Sequence, residues 1–410
     1  MKTLILILAL ALQGGQGGNP PGAALPQGQH GKPPPGVALQ GAGNGGIPPR
    51  TIKPNDLATG TLPALTGEYS LTGGISRWAR VAVADDGTRA WVFTRANQCY
   101  ARLQNPDGTW KTGDIWLTAG ALKKTDECEV EVSGNTFFFT GSERYAGWTI
   151  SMNCWGALLQ SDGSGFIYIS RLAPSITTTT WLPRAEANPD GSGFRVTYTE
   201  EWSEEAGLSD IFFDGSVREL PNANAWSGAS QSYSIITFGR GRDIACWMAA
   251  EYGRAYRGRL GSLKPQVFTG PLSWECRMAY KPGEIATVWH RAGRIEGRRL
   301  ESDLKPLYPI DFIGWGRDAE IGLDGDDVIL VWEGSDNRVQ AVRWDDEGVG
   351  PIVRLSGDLG PKPGGEEGRR TADVWVLPSG FIFSWQETIP GSSSNKQQVR
   401  ILEAPLGLLP

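Results

Sequence analysis

A unit of about 49 residues recurs along this chain, and a recurrence of that length narrows the fold more than any other feature. A small, a charged and an apolar residue stand together at Ala79-Arg80-Val81, Cys128-Glu129-Val130, Ala185-Glu186-Ala187, Cys276-Arg277-Met278, Ala319-Glu320-Ile321 and Ala372-Asp373-Val374, with a weaker copy at Tyr233-Ser234-Ile235. Each is followed by turn residues: DDG, SGN, PDG, GRG, KPG, DGD and PSG. A second apolar run then carries an aromatic, at Phe93, Phe139, Tyr198, Trp247, Trp289, Trp332 and Trp385. Third runs (CYARL, AYRGRL, IEGRRL, VQAVRW, QVRIL) and fourth runs (IWLTAG, QVFTGP, IVRLSGD) complete most copies. Four short alternating strands per unit and seven units predict an all-β chain, a seven-bladed β-propeller of antiparallel blades. No stretch carries the sustained helical period that would compete.

The seventh copy stops at its third strand. The missing fourth is found at the other end, in GEYSLTGG, residues 67–74. An N-terminal strand that completes the last blade closes the ring and removes an open sheet edge. The predicted propeller thus covers residues 64–410. Ahead of it, the Gly/Pro-rich stretch 15–60 cannot bury enough apolar surface to fold alone and reads as a linker. Residues 1–14 follow the layout of a signal peptide, with Lys2 and then an apolar run from Leu4 to Leu12; a retained hydrophobic anchor is the alternative.

Composition excludes several classes. The net charge is −6 and Lys and Arg do not cluster, so the footprint of a nucleic-acid binder is missing. No apolar run reaches the roughly 18 residues of a membrane span. The five cysteines show no CxxC pair, and only His30 and His290 accompany them, so neither a zinc site nor any other metal or cofactor is expected. Buried strand cysteines are favoured over disulfides, with one or two disulfides as the alternative. The acidic run Leu323–Asp327 reads as a turn rather than a Ca²⁺ loop.

The unit VAVADDGTRAWVFTRANQCYARLQNPDGTWKTGDIWLTAG and its sixth copy EIGLDGDDVILVWEGSDNRVQAVRWDDEGVGPIVRLSGD resemble the sialidase-like, BNR-type propeller repeats of exported bacterial proteins. The resemblance is architectural. The Asp box of that family is absent in good form, the two DGSGF copies at Asp162 and Asp190 read as ordinary turns, and the Arg-Ile-Pro motif is missing. The resemblance implies a ligand site over the ring centre. In a sialidase-like enzyme three arginines, a Tyr–Glu pair and an aspartic acid would occupy it, and Arg77, Arg317, Arg370, Tyr145 and Asp126 match those residue types only.

The segments leading into the first strands carry Arg77, Trp78, Asp126, Glu127, Arg184, Trp226, Trp274, Glu275, Trp315, Arg317, Asp318 and Arg370. Those between second and third strands carry Tyr145, Trp148 and Trp202. Flat aromatics beside Arg forks and carboxylates suit a sugar or another polar polymer. Arg80, Glu129, Glu186, Ser234, Arg277, Glu320 and Asp373 read instead as a ring of paired charges between neighbouring blades. The expected function is a secreted or surface-exposed binding module for a glycan or protein, tethered by its linker. A glycan-processing hydrolase or lyase is one alternative, and a phage or virion structural or receptor-binding protein another.

Overall fold

The computed structural model describes residues 69–410 apart from 71–75, 96–97, 119–122, 146–151, 175–179, 201–204, 221–230, 237–242, 250–251, 259–265, 268, 270–272, 361–371, 390, 392–396 and 410. These residues belong to one compact unit, Pro49–Pro410. The expected signal segment and linker lie outside the described residues. Among those described there is no α-helix, and no helix long and apolar enough to cross a membrane.

The strands group into antiparallel sheets of four. The earliest described strand, β1 (Tyr69–Ser70), belongs to the sheet built last. The first sheet runs β2 (Ser76–Val83), β3 (Arg89–Arg95), β4 (Gln98–Gln104), β5 (Ile115–Trp116). The second runs β6 (Lys123–Ser133), β7 (Thr136–Tyr145), β8 (Met152–Gln160), β9 (Ile167–Ile169). The third runs β10 (Thr180–Ala187), β11 (Gly193–Glu200), β12 (Glu205–Phe212), β13 (Val217–Glu219). The fourth runs β14 (Gln231–Ile236), β15 (Asp243–Ala249), β16 (Tyr252–Gly258), β17 (Gln266–Val267).

Two further units share one long strand. After β18 (Ser273–Lys281), β19 (Glu284–Arg291) and β20 (Arg294–Glu301) comes β21 (Asp311–Asp324). The first half of β21 pairs with β20 and its second half with β22 (Asp327–Gly334). Then follow β23 (Val339–Asp345), β24 (Gly348–Val349) and β25 (Val353–Arg354). The last sheet is β26 (Asp373–Leu377), β27 (Gly380–Thr388) and β28 (Gln397–Pro405), and β1 pairs on its outer edge, Tyr69 opposite Ile401 and Ser70 opposite Arg400. β1 therefore stands as the fourth strand of that sheet, and its residues fall within the stretch 67–74 expected to complete the last copy.

The core is divided among the gaps between sheets. Ala82, Val92 and Leu103 meet Phe137 and Trp155 of the second sheet. Phe138 and Leu158 meet Phe194 and Tyr198 of the third. Trp91 and Phe93 meet Ile382 and Ile401 of the last sheet, so the two ends of the described chain share a cluster. The first strands lie against one another in the order β2, β6, β10, β14, β18, β21, β26, with β26 also against β2.

Six of these first strands carry an extra residue at one place. Between Arg77 and Arg80 the first strand advances three residues while its partner advances two, a β-bulge. The same three-for-two shift separates Asp126 from Glu129, Trp181 from Arg184, Trp274 from Arg277 and Arg317 from Glu320, and a two-for-one shift separates Ser232 from Ser234.

The bulge corrects two alignments made on residue type. In the third copy the residue after the bulge is Arg184, not Glu186. Pro183 sits within the bulge, where its missing N–H breaks no ladder bond. In the second copy the aromatic position falls on Gly141, not Phe139, and Trp155 on the neighbouring strand stands opposite Gly141 to supply the ring. The cysteine reading is corrected as well. Cys99 of β4 and Cys128 of β6 form a disulfide between the first two sheets, and Cys276 is disulfide-bonded too.

The tight turns behave as read. Asp162 Oδ1 accepts the Ser164 N–H at 2.8 Å and Asp190 Oδ1 that of Ser192 at 3.0 Å, the hydrogen bonding of simple Asx turns. In the acidic run, Arg343 holds Asp324 at 2.9 Å and Asp327 at 2.6 Å.

Candidate functional site

Five residues that follow bulges, Arg80, Glu129, Arg184, Arg277 and Glu320, converge with Asp373. Arg80 is 4% exposed and reaches three carboxylates: Glu320 at 2.6 Å, Asp373 at 3.0 Å and Glu129 at 3.5 Å. Arg184 holds Glu129 at 2.5 Å, and Arg277 holds Glu320 at 2.9 Å. Three guanidinium groups thus face three carboxylates and the ring is neutral. Arg184, expected at the ligand rim, is a member of this ring.

Burial alone would raise the Glu320 pKa, but Arg277 and Arg80 outweigh it and hold the carboxyl at about 2. Asp373 goes the other way. Burial pushes it up to about 6, and the charges of Glu320 and Glu129 oppose the pull of Arg80.

Two residues further along their strands, Glu131 and Glu186 follow Glu129 and Arg184 on the same strand faces, since side chains repeat every second residue. Burial pushes Glu131 up to about 7, with Glu129 and Asp373 adding to the shift. Glu186 is raised well above its ordinary value by burial and then by the charge of Glu131. A cavity of about 310 Å³ is lined by Arg80, Glu129, Glu131, Glu320, Asp373 and Trp375 among others.

The other predicted residues sit on strands rather than in loops. Arg77 and Trp78 lie in β2, Asp126 and Glu127 in β6, and Trp274 and Glu275 in β18; in each pair the second residue occupies the bulge. The bulge lets a first strand continue past its point of register change, and this is why a loop was expected where strand is found. Tyr145 ends β7. Trp148, Trp202, Trp226 and Arg370 lie outside the described residues.

Trp315, Arg317 and Asp318 mark the middle of β21, where it passes from one partner to the other. Trp315 is 50% exposed, with the Arg294 guanidinium 4.9 Å from its ring centre and Phe312 at its edge. Arg317 pairs with Glu333 at 3.1 Å, and Asp318 takes the left-handed backbone of the bulge, φ 55°. His290 accepts the Gly293 N–H at 3.0 Å, which makes it part of a hairpin.

Sequence reading missed the outer edge of the first sheet. Trp110 and Trp116 are 39% and 44% exposed there, beside Arg102 and Asp114. The signal was present in β4: Cys99, Ala101 and Leu103 alternate with the polar Tyr100, Arg102 and Gln104.

No family model matches the chain, and no curated protein matches it. Among solved structures it is similar to a prolyl endopeptidase at 14% identity and a TM-score of 0.45, over 78% of this chain and 48% of that one. It spans about half the length of that enzyme. It is similar to the GH43_1 enzyme from Xanthomonas citri at 10% identity and a TM-score of 0.38, over 83% of this chain and 91% of the other. It is also similar to the endosialidase of phage phi92 at 10% identity and a TM-score of 0.47, over 83% of this chain and 69% of the other. At such identities and scores no chemistry passes from them to this chain.

Proposed function

We propose that this chain is an exported seven-bladed β-propeller, closed by β1, which binds a glycan or protein partner through exposed aromatic side chains and is not an enzyme. The observation that carries this reading is how tryptophan is distributed. Trp91, Trp155, Trp289, Trp332, Trp344 and Trp385 are sealed between sheets, whereas Trp110, Trp116 and Trp315 are 39–50% exposed. Large exposed aromatics beside Arg are costly to leave in water and effective at a binding face.

The centre supports the same reading. Arg80, Arg184 and Arg277 are each engaged by a carboxylate of the chain, so these ring arginines are already paired. The bulged strand ends that carry Arg77, Trp78, Asp126, Glu127, Trp274, Glu275, Arg317 and Asp318 belong to the proposed binding face, with Tyr145, Trp148, Trp202, Trp226 and Arg370. Disulfides at Cys99–Cys128 and Cys276 fit an oxidising compartment, hence secretion or surface display, with a virion as the alternative.

One observation favours a second reading, a glycan-processing hydrolase. Burial raises the carboxyl of Glu131, which lines the cavity, to about 7, and a carboxyl held there can serve as a general acid. The full chain on a glycan array, with released reducing ends assayed in the same wells, separates the two. Binding without release is expected. Release that is abolished by Glu131→Gln would replace the binding module with the hydrolase.

A further inference from the structure

The outer face of the first sheet carries a row of side chains that the centre does not use. Cross-strand partners project to the same face of a sheet. Trp116 stands opposite Tyr100, and Trp110 bridges to Gln104. Between them Arg102 is ion-paired to Asp114, which also holds Arg95 at 2.6 Å. The row along β4 is therefore Trp116 with Tyr100, then Arg102 with Asp114, then Trp110. Tyr100 and Gln104 are four residues apart, so the two tryptophans are separated by about 13 Å at the usual strand rise.

The rings are fixed before any ligand arrives. Trp116 Nε1 donates to Thr118 at 2.9 Å and to Gln98 at 3.3 Å, and the Thr118 hydroxyl in turn donates to Gln98 at 2.8 Å. The Arg102 guanidinium lies 5.0 Å from the Trp110 ring centre, and that of Arg95 lies 4.5 Å from the Tyr100 ring centre. Holding an aromatic in its bound orientation lowers the ordering cost of binding.

The inner part of this face is covered, since Trp91 packs on Ile382 and Ile401 of the last sheet, whereas Trp110 and Trp116 farther out are exposed.

We infer that this row is a binding platform for a linear neutral polysaccharide lying along β4. A sugar ring has an apolar face that stacks on tryptophan and a rim of hydroxyls that bond to Arg and Asp. A polymer of such rings repeats the two features in turn, and so does the row. A protein partner would need a continuous desolvated apolar centre. Here the half-buried Arg102–Asp114 pair stands between the two tryptophans. The inference rests on the binding-module reading and gives it a location and a ligand class.

Affinity electrophoresis of the full chain in gels containing hydroxyethylcellulose, xylan, galactomannan or laminarin tests it. Wild type, Trp110→Ala, Trp116→Ala and Trp315→Ala are run side by side, with decaproline as competitor. One of the polysaccharides is expected to retard the wild type. Trp110→Ala and Trp116→Ala should each weaken that retardation about tenfold or more, and each by a larger factor than Trp315→Ala. Trp116→Phe, which keeps a ring, should retain part of the affinity and guards against loss of fold in the alanine variant.

If both alanine variants bind like wild type while Trp315→Ala does not, the platform is wrong and the binding-module reading stands. If no polysaccharide retards the wild type, the platform falls, and the broader array decides the module. If decaproline displaces the polymer, or binds where the polymers do not, the row is a peptide groove and the inference is overturned.

Discussion

Arg80 serves three carboxylates at once, and this ratio makes it the residue on which the centre most depends. Removing one partner of a buried pair leaves the others uncompensated, at a cost of about 3–5 kcal/mol. Arg80→Met should lower stability by that order in urea unfolding, because Glu129, Glu320 and Asp373 would then face one another with Arg184 and Arg277 alone. The same groups set the response to pH. Glu131 at about 7 and Asp373 at about 6 lie above their unfolded values of roughly 4.3 and 3.9, so the folded chain holds more protons between those limits. Their contribution is complete below the unfolded values and is lost as pH rises through 6 to 7. Glu320, held at about 2, acts in the opposite sense and withdraws its stabilisation as pH falls from its unfolded value toward 2. The melting temperature should therefore be highest in mildly acidic buffer and decline toward pH 8. Glu131→Gln should flatten that decline, and a wild-type profile that rises from pH 5 to 8 would refute it. The ring charges were legible in the sequence because they recur beside small residues. Arg184 was not: Pro183-Arg184-Ala185 and Ala185-Glu186-Ala187 both fit the pattern, and only the pairing register separates them.

At the scale of the strand, turns and aromatics could be read and registers could not. Turn residues impose a local backbone, and the predicted hairpins at Asp85, Ser133, Pro189, Lys281, Asp324 and Pro378 all join the strands expected. A bulge leaves no such mark on composition. It is a one-residue count between two strands, and it moves every later side chain to the other face. The displaced aromatic of the second sheet illustrates this: Gly141 and Trp155 together do what one ring does elsewhere. Tyr198 shows the same economy, lying across Gly207, its cross-strand partner. A Cβ added at Gly207 would come within 2.1 Å of the Tyr198 ring. Gly207→Ala should cost about 1–3 kcal/mol through overpacking, read as a lower urea midpoint at unchanged slope. Stability equal to wild type would mean that the third sheet is looser than described. The Trp110–Trp116 row escaped notice because an exposed aromatic and a buried one look alike in a sequence, and what decides is whether the neighbouring sheet reaches far enough to cover it.

At the scale of the whole molecule, the repeat length made an all-β chain of four-stranded antiparallel sheets legible, because most copies spell short strands joined by turn residues. Ligand chemistry was less legible, since such a fold positions its loops without dictating what they hold. The central proposal is that β1 completes the last sheet and so brings the first and last sheets together beside the charged ring. Ser70 and Arg400 are directly opposite in that pairing. Directly paired strand residues have Cα atoms about 4.5–5.5 Å apart, within the reach of a disulfide. The Ser70→Cys, Arg400→Cys double variant should therefore oxidise to a 70–400 crosslink in the folded protein, found by peptide mass mapping, and should unfold at a higher temperature than its reduced form. Failure of that crosslink to form in the folded chain, with the reduced variant as stable as wild type, would contradict closure by β1 and the account built on it.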